Sequence, residues 1–208
     1  GELIAQGTDG NEITFTSNET SPAAGDWGEI KFFSTATSAS SDEDGNYITG
    51  SIFKYCTIQY GSGIELDGGM PYIDNCIISY HSSHGISGNP GGSIPIKIKN
   101  STIRNNNGRG IVISYASTVP SATLNIIDNN TISYNSAGAI DTYPAIISNN
   151  TINNNTSDYE GSITCAECII TDNVIRDNTN TGQSGGGIRI HGGTVTGNII
   201  YNNTAENG

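Results

Sequence analysis

Large apolar residues recur in this chain as columns, set by a short phrase that returns down most of its length. The phrase reads Tyr55-Cys56-Thr57-Ile58, Asn75-Cys76-Ile77-Ile78, Asn100-Ser101-Thr102-Ile103 and Asn129-Asn130-Thr131-Ile132. It returns as Asn149-Asn150-Thr151-Ile152, Asp172-Asn173-Val174-Ile175 and Gly197-Asn198-Ile199-Ile200. The last isoleucines of successive phrases are 20, 25, 29, 20, 23 and 25 residues apart. Three residues before the middle of each phrase stand Phe53, Ile73, Ile98, Ile127, Ile147, Ile170 and Val195. A third column, Ile64, Ile86, Ile111, Ile140, Ile163 and Ile188, follows a small residue in each full repeat. Two residues beyond it lie further inward candidates, Leu66, Ile113, Cys165 and Ile190.

A period of this length marks a solenoid, in which one repeat cannot bury its apolar face without its neighbours. Short runs of β-branched residues at even spacing predict strands, since alternate side chains face the same way. The runs are too short, and too rich in Gly and Asn, for helices. Three short strands per coil, with isoleucine stacked on isoleucine, make an all-β, single-stranded parallel β-helix. The crossover rule for parallel strands makes it right-handed. Seven coils carry the phrase, and the N-terminal segment adds one or two, for roughly 8–9 coils. At one strand spacing per coil the rod is about 40–50 Å long. Residues 1–47 are expected to form N-terminal coils with an acidic loop, and 48–208 the regular repeats of the same continuous domain.

The middle residue of the phrase is polar, yet its spacing puts it at an inward bend. Asn130, Asn150, Asn173 and Asn198 should therefore lie above one another as an amide ladder, satisfying buried groups that would otherwise cost about 1–3 kcal/mol each. Cys56, Cys76 and Ser101 take that place in earlier coils.

Charge narrows the partners. A formal net charge of −12, with only eight Lys and Arg, disfavours nucleic acid, anionic membranes and acidic polysaccharides. No run of about twenty apolar residues exists to span a membrane. The chain begins inside what reads as a coil and stops just after a phrase, as in a mature fragment, a piece of a longer chain, or a unit whose ends neighbours cover.

Four cysteines fall into two groups. Cys56 and Cys76 hold equivalent places on adjacent coils, close enough for a disulfide or for a stacked pair of free thiols. Cys165-Ala166-Glu167-Cys168 is a lone CxxC without a histidine-rich partner, which argues against zinc and for a local disulfide across a coil corner. Glycosylation sequons begin at Asn18, Asn100, Asn129, Asn149, Asn154, Asn155 and Asn202. Asn100, Asn129 and Asn149 precede the inward column and should point outward.

The repeated Asn-x-Thr/Ile-Ile…Gly-Ile pattern resembles the parallel β-helix repeat of the pectate-lyase-like superfamily and of many secreted or cell-surface proteins. The resemblance runs from about Ile48 to the C-terminus. The segment Gly7-Thr8 to Glu29-Ile30 looks like the coils that precede such repeats in large surface proteins. It implies a right-handed parallel β-helix. It does not select among the lyases, hydrolases, epimerases, tailspikes, adhesins and plain rods of that superfamily.

Candidate chemistry is sparse. Gly187-Ile188-Arg189-Ile190-His191-Gly192 sets an arginine near a histidine, without the aspartate pair or Arg-x-Lys of polygalacturonase-like members. Glycosidase work needs two carboxyl groups about 5–10 Å apart. Glu65 and Asp67 alternate on one side of a strand and Asp141 follows in a later coil, while Arg104, Arg109 and Arg176 lack an acidic cluster in a matching column. His81 and His84 share a loop. Asp42, Asp44 and Asn46, with Gly45, imitate part of a calcium loop without its later glutamate, so calcium competes there with a solvated acidic loop. Tyr60, Tyr80 and Tyr134 all stand two residues past the isoleucine column, as an outward aromatic strip for sugar or protein contact or as turn packing. Extra residues at 87–93, 114–122, 154–160 and 177–186 enlarge particular lateral faces.

These features favour a non-catalytic structural or adhesive rod, extracellular or on a cell surface, whose partners are copies of itself or neighbouring surface proteins. End-to-end or side contacts would build a filament, sheath or surface layer. The rivals are a polysaccharide lyase or glycoside hydrolase, and a carbohydrate-binding module, each using a lateral groove.

Overall fold

The computed structural model describes residues 1–89, 94–114, 124–182 and 185–206. The extra residues expected at 87–93, 114–122 and 177–186 lie partly outside them. Every regular element among the described residues is a strand.

Three faces turn around one core. The first face stacks Ile4–Gln6, Ile52–Lys54, Tyr72–Asp74, Lys97–Lys99, Asn125–Asp128 and Ala145–Ser148. The second is an eight-stranded sheet from Ile13–Phe15 and Cys56–Gln59 to Val174–Arg176 and Ile199–Tyr201. The third runs through Glu29–Phe33, Gly63–Asp67, Ile86–Asn89, Ile111–Ile113 and Ile140–Thr142. In the last two coils the third face runs straight into the first as one long strand, Ile163–Thr171 and then Ile188–Thr196.

All inter-coil pairing within these faces is parallel and in register. On the second face Ile58, Ile78, Ile103, Ile132, Ile152, Ile175 and Ile200 are successive Cα partners. Phe53 through Val195 do the same on the first face, and Ile64 through Ile188 on the third. The isoleucines from Ile58 to Ile175 are 0 % exposed, a dry core in which each side chain is covered above and below. The chain is a parallel β-helix. Its first coil joins the same stack, since Ile4 pairs with Ile52, Ile13 with Cys56 and Ile30 with Ile64. The division drawn at residue 47 falls inside the strand Tyr47–Thr49.

The bends explain the phrase. Its first residue, from Tyr55 to Gly197, has φ between 48° and 67° in all seven repeats. Five residues later Tyr60, Tyr80, Asn105, Tyr134, Asn154, Asp177 and Asn202 have φ between 54° and 65°. Left-handed backbone at both ends of each second-face strand turns the chain sharply there. Asparagine and aspartate adopt it more readily than other non-glycine residues, so they recur at these places. The next residue then points into the core.

The acidic segment 42–46 lies outside the stack. It is the tip of an antiparallel hairpin, Ser40–Ser41 with Tyr47–Thr49. Asp42 closes the tip, accepting from the backbone N–H of Asn46 at 2.7 Å and from its Nδ2 at 3.1 Å. The alternation of Asp42, Asp44 and Asn46 thus falls in a hairpin turn whose Asp42 carboxylate serves the turn's own backbone.

Candidate functional site

Two amide ladders run through the core. In the first, Nδ2 of Asn130 donates to Oδ1 of Asn150 at 3.1 Å, Asn150 to Asn173 at 2.9 Å and Asn173 to Asn198 at 2.9 Å. Each Oδ1 also accepts the backbone N–H of the asparagine one coil earlier, as for Asn130 to Asn150 at 2.8 Å. The second Nδ2 proton bonds a strand carbonyl, as Asn150 does with Ile127 at 2.9 Å. These asparagines are structural.

The second ladder is one that reading the phrase alone misses. Asn106, Asn135, Asn155, Asn178 and Asn203 are linked Nδ2 to Oδ1 at 2.9, 2.9, 3.0 and 2.8 Å. Each stands five residues after the first ladder's position, so aligning that column would have found it. It also corrects one sequon. Asn155 is 1 % exposed and fully engaged, and cannot present its amide to a glycosyltransferase. Asn18, Asn100, Asn129, Asn149 and Asn202 are exposed, and Asn154 is half-buried.

Cys165 and Cys168 are disulfide-bonded with Cα atoms 6.1 Å apart, both buried, where the third face passes into the first. Cys56 and Cys76 are free and buried. Of the two readings of that pair, the disulfide is therefore corrected. Each thiol donates to the carbonyl two residues back in its own chain, Lys54 at 3.4 Å and Asp74 at 3.3 Å, so the sulfurs serve the bend backbone as the asparagines do. Hydrogen bonding to Cys56 and burial both push the Cys76 thiol pKa upward.

The aromatic strip is interrupted. Tyr60 and Tyr80 stack at 5.3 Å with planes 13° apart, but Asn105 occupies that column in the next coil and isolates Tyr134. The acidic strand residues are also dispersed. Glu65 and Asp67 share Lys31, at 2.7 and 3.6 Å, while the register places Asp141 three coils beyond Glu65. His81 points into the core and His84 to the side, so the two imidazoles do not converge, and His191 is exposed.

One lateral group does converge, at the bend leading into the third face. His84, Arg109, Asp141, Glu160 and Arg189 come from five successive coils. The backbone N–H of Arg109 donates to Nδ1 of His84 at 2.9 Å, which leaves Nε2 to carry the proton of the neutral ring. Arg109 lies 3.9 Å from Asp141 and 3.4 Å from Glu160, and Arg189 bonds Glu160 as well. The Arg109 guanidinium passes over Gly138, where a Cβ would stand 2.7 Å from Nη1, and among the described residues Nη1 has no hydrogen-bond partner. Burial raises the Asp141 pKa above its ordinary value against the pull of Arg109. Burial, and then the Arg109 cation, lower that of His84. The group thus offers a protonatable carboxyl, a neutral imidazole donor and a fixed ion-pair pedestal. Sequence reading named His84, Arg109, Asp141 and Arg189 singly. Their common registry around the third isoleucine column was the signal that joins them, while Glu160 sits in an insertion that no column predicts.

The family described as "Right handed beta helix region" matches residues 5–141 of the chain. No curated protein and no solved structure matches it.

Proposed function

We propose that this chain, which belongs to the right-handed β-helix family, serves as a non-catalytic structural and adhesive rod, extracellular or at a cell surface, that assembles with copies of itself. One observation carries the reading. The isoleucine column from Ile58 to Ile175 is covered coil on coil and 0 % exposed, while charged groups of the lateral faces are tied to one another, Glu65 and Asp67 to Lys31 and Glu160 to Arg109 and Arg189. Such a shaft is built as a scaffold whose sides are left for contact. The Cys165–Cys168 disulfide and the exposed sequons support an oxidising, extracellular setting.

Sedimentation velocity and electron microscopy over a concentration series test this. The expected result is oligomers whose size grows with concentration. A monodisperse monomer at every concentration overturns the reading.

The lateral group around Arg109 favours a second reading, contact with a hydroxyl-rich glycan through Asp141 and His84. Retention on a glycan array that Asp141→Ala removes would support it, and an array without signal would count against it.

A further inference from the structure

The hairpin 40–49 does more than cap an acidic turn. It folds over the outward side of the first face, where Ile52, Tyr72, Lys97 and Ile126 succeed one another from coil to coil. Tyr72 pins it, donating its hydroxyl to the carbonyl of Gly45 at 2.9 Å with its ring 5.8 Å from that of Tyr47. Beneath the hairpin lies a cavity of about 300 Å³ walled by Ala39, Pro71, Tyr72, Ile94 and Pro95. Lys97 and Ser41 line it too, and the Lys97 ammonium hydrogen-bonds the Ser41 hydroxyl.

Lys97 differs from Lys31 and Lys54. Lys31 is bridged to Glu65 and Asp67, and Lys54 to Asp74. Among the described residues Lys97 has no carboxylate within ion-pair distance. Its hydrogen-bond partner is a neutral hydroxyl, and its stem runs along apolar walls. We propose that Lys97 is the nucleophilic amine of a small-molecule site that captures single-ring aldehydes as imines. A flat ring suits walls made of two prolines, an isoleucine and a tyrosine face, and the volume sits at the lower end of small-ligand sites. Nζ of the neutral amine adds to the carbonyl carbon, forming the C–N bond. The oxygen then leaves as water, with both protons drawn from the amine, and a neutral imine remains. Ser41 is placed to hold the carbonyl oxygen during the addition. The charged groups nearby are Lys99 and Asp42. Burial and Lys99 lower the Lys97 pKa and Asp42 opposes them, a balance that moves the amine toward its unprotonated form.

The test is reductive trapping of the whole native chain with benzaldehyde and cyanoborohydride, read by peptide mass spectrometry. Labelling of Lys97 should saturate with aldehyde concentration and clearly exceed that of Lys31, Lys54 and Lys99. Unfolding in guanidinium should erase the preference. Lys97→Met should remove the saturable phase with an unchanged circular dichroism melt, and Ser41→Ala should slow it. Linear, even labelling of all the lysines overturns the proposal, as does a Lys97 preference that survives unfolding.

Discussion

The coils after Asn125 and those before Asn89 share one backbone path but fill it differently. In the later coils both inward bend columns are asparagine, and amide donates to amide from one coil to the next. In the earlier coils the first column holds Cys56 and Cys76, and the second holds Gly61 and His81. The core there is thickened by Phe15, Phe32 and Phe53, packed edge to face at 5.8 and 5.7 Å. An amide ladder satisfies its buried groups only as a run, because each Oδ1 takes its donors from one coil and each Nδ2 its acceptor from the next. Where the run stops it tapers. The N–H of Ser101 still donates to Asn130 at 2.9 Å, and that of Cys76 to the Ser101 hydroxyl at 3.1 Å. Beyond that point aromatic packing and sulfur replace a repeating polar device.

The largest effect should come from breaking the run. In Asn150→Ala the N–H and Nδ2 of Asn130 lose their acceptor and the carbonyl of Ile127 loses a donor. With several buried groups stranded, the expected loss is about 3–5 kcal/mol. Cys76→Ala should cost about 1 kcal/mol, since it removes a weak thiol donor and little volume. Equilibrium guanidinium unfolding, with hydrogen exchange to locate coils that open separately, measures both. Equal losses would show that the two halves are held by the same forces.

A smaller, pH-dependent effect should follow from His81. The ring is 0 % exposed in the second ladder's place, and burial pushes its pKa below 6.5. The unfolded chain therefore takes up a proton at a pH where the folded chain does not. The associated stability is complete above pH 6.5 and drains away as pH falls below it. His84, lowered in the same direction, adds to the slope. His81→Asn extends the amide run by one coil. It should raise stability by about 1 kcal/mol at neutral pH, one net hydrogen bond, and by more at pH 5. Melting temperatures of the two proteins across pH 5–8 decide the matter, and parallel curves would sink the idea.

The architecture was legible because a solenoid repeats its own registration. Ile78, Ile103 and Ile132 could be aligned without coordinates, and the structure pairs them directly. The first ladder was legible for the same reason. The second is equally periodic, but its earlier places hold Gly61 and His81, so its asparagines start only at Asn106. What periodicity could not reach were non-repeating contacts. Asp42, Asp44 and Asn46 alternate in a hairpin tip as they would in a binding loop, so spacing alone does not separate the two. Asn155 looked glycosylated because a sequon does not record which way its amide points. Glu160 and the Lys97 cavity depend on insertions that fold back over the stack, and their distance from the repeat is what hid them.

The smallest effect distinguishes two tyrosines that the sequence made equivalent. Tyr80 and Tyr134 both sit at the left-handed bend, with φ of 57° and 56°, a region that asparagine adopts more readily than a bulky ring does. Tyr80 recovers that cost by stacking on Tyr60, a contact worth about 0.5–1.5 kcal/mol. Tyr134 is 57 % exposed, and Asn105 and Asn154 hold its column in the coils beside it. Tyr134→Asn should therefore stabilise the fold by a few tenths of a kcal/mol, whereas Tyr80→Asn should leave it unchanged or weaken it slightly. Opposite signs in paired melting curves would tie the bend column to backbone preference in the later coils and to side-chain contact in the earlier ones. A common sign would remove that distinction and leave the ladders and the core as the whole difference between the two regions.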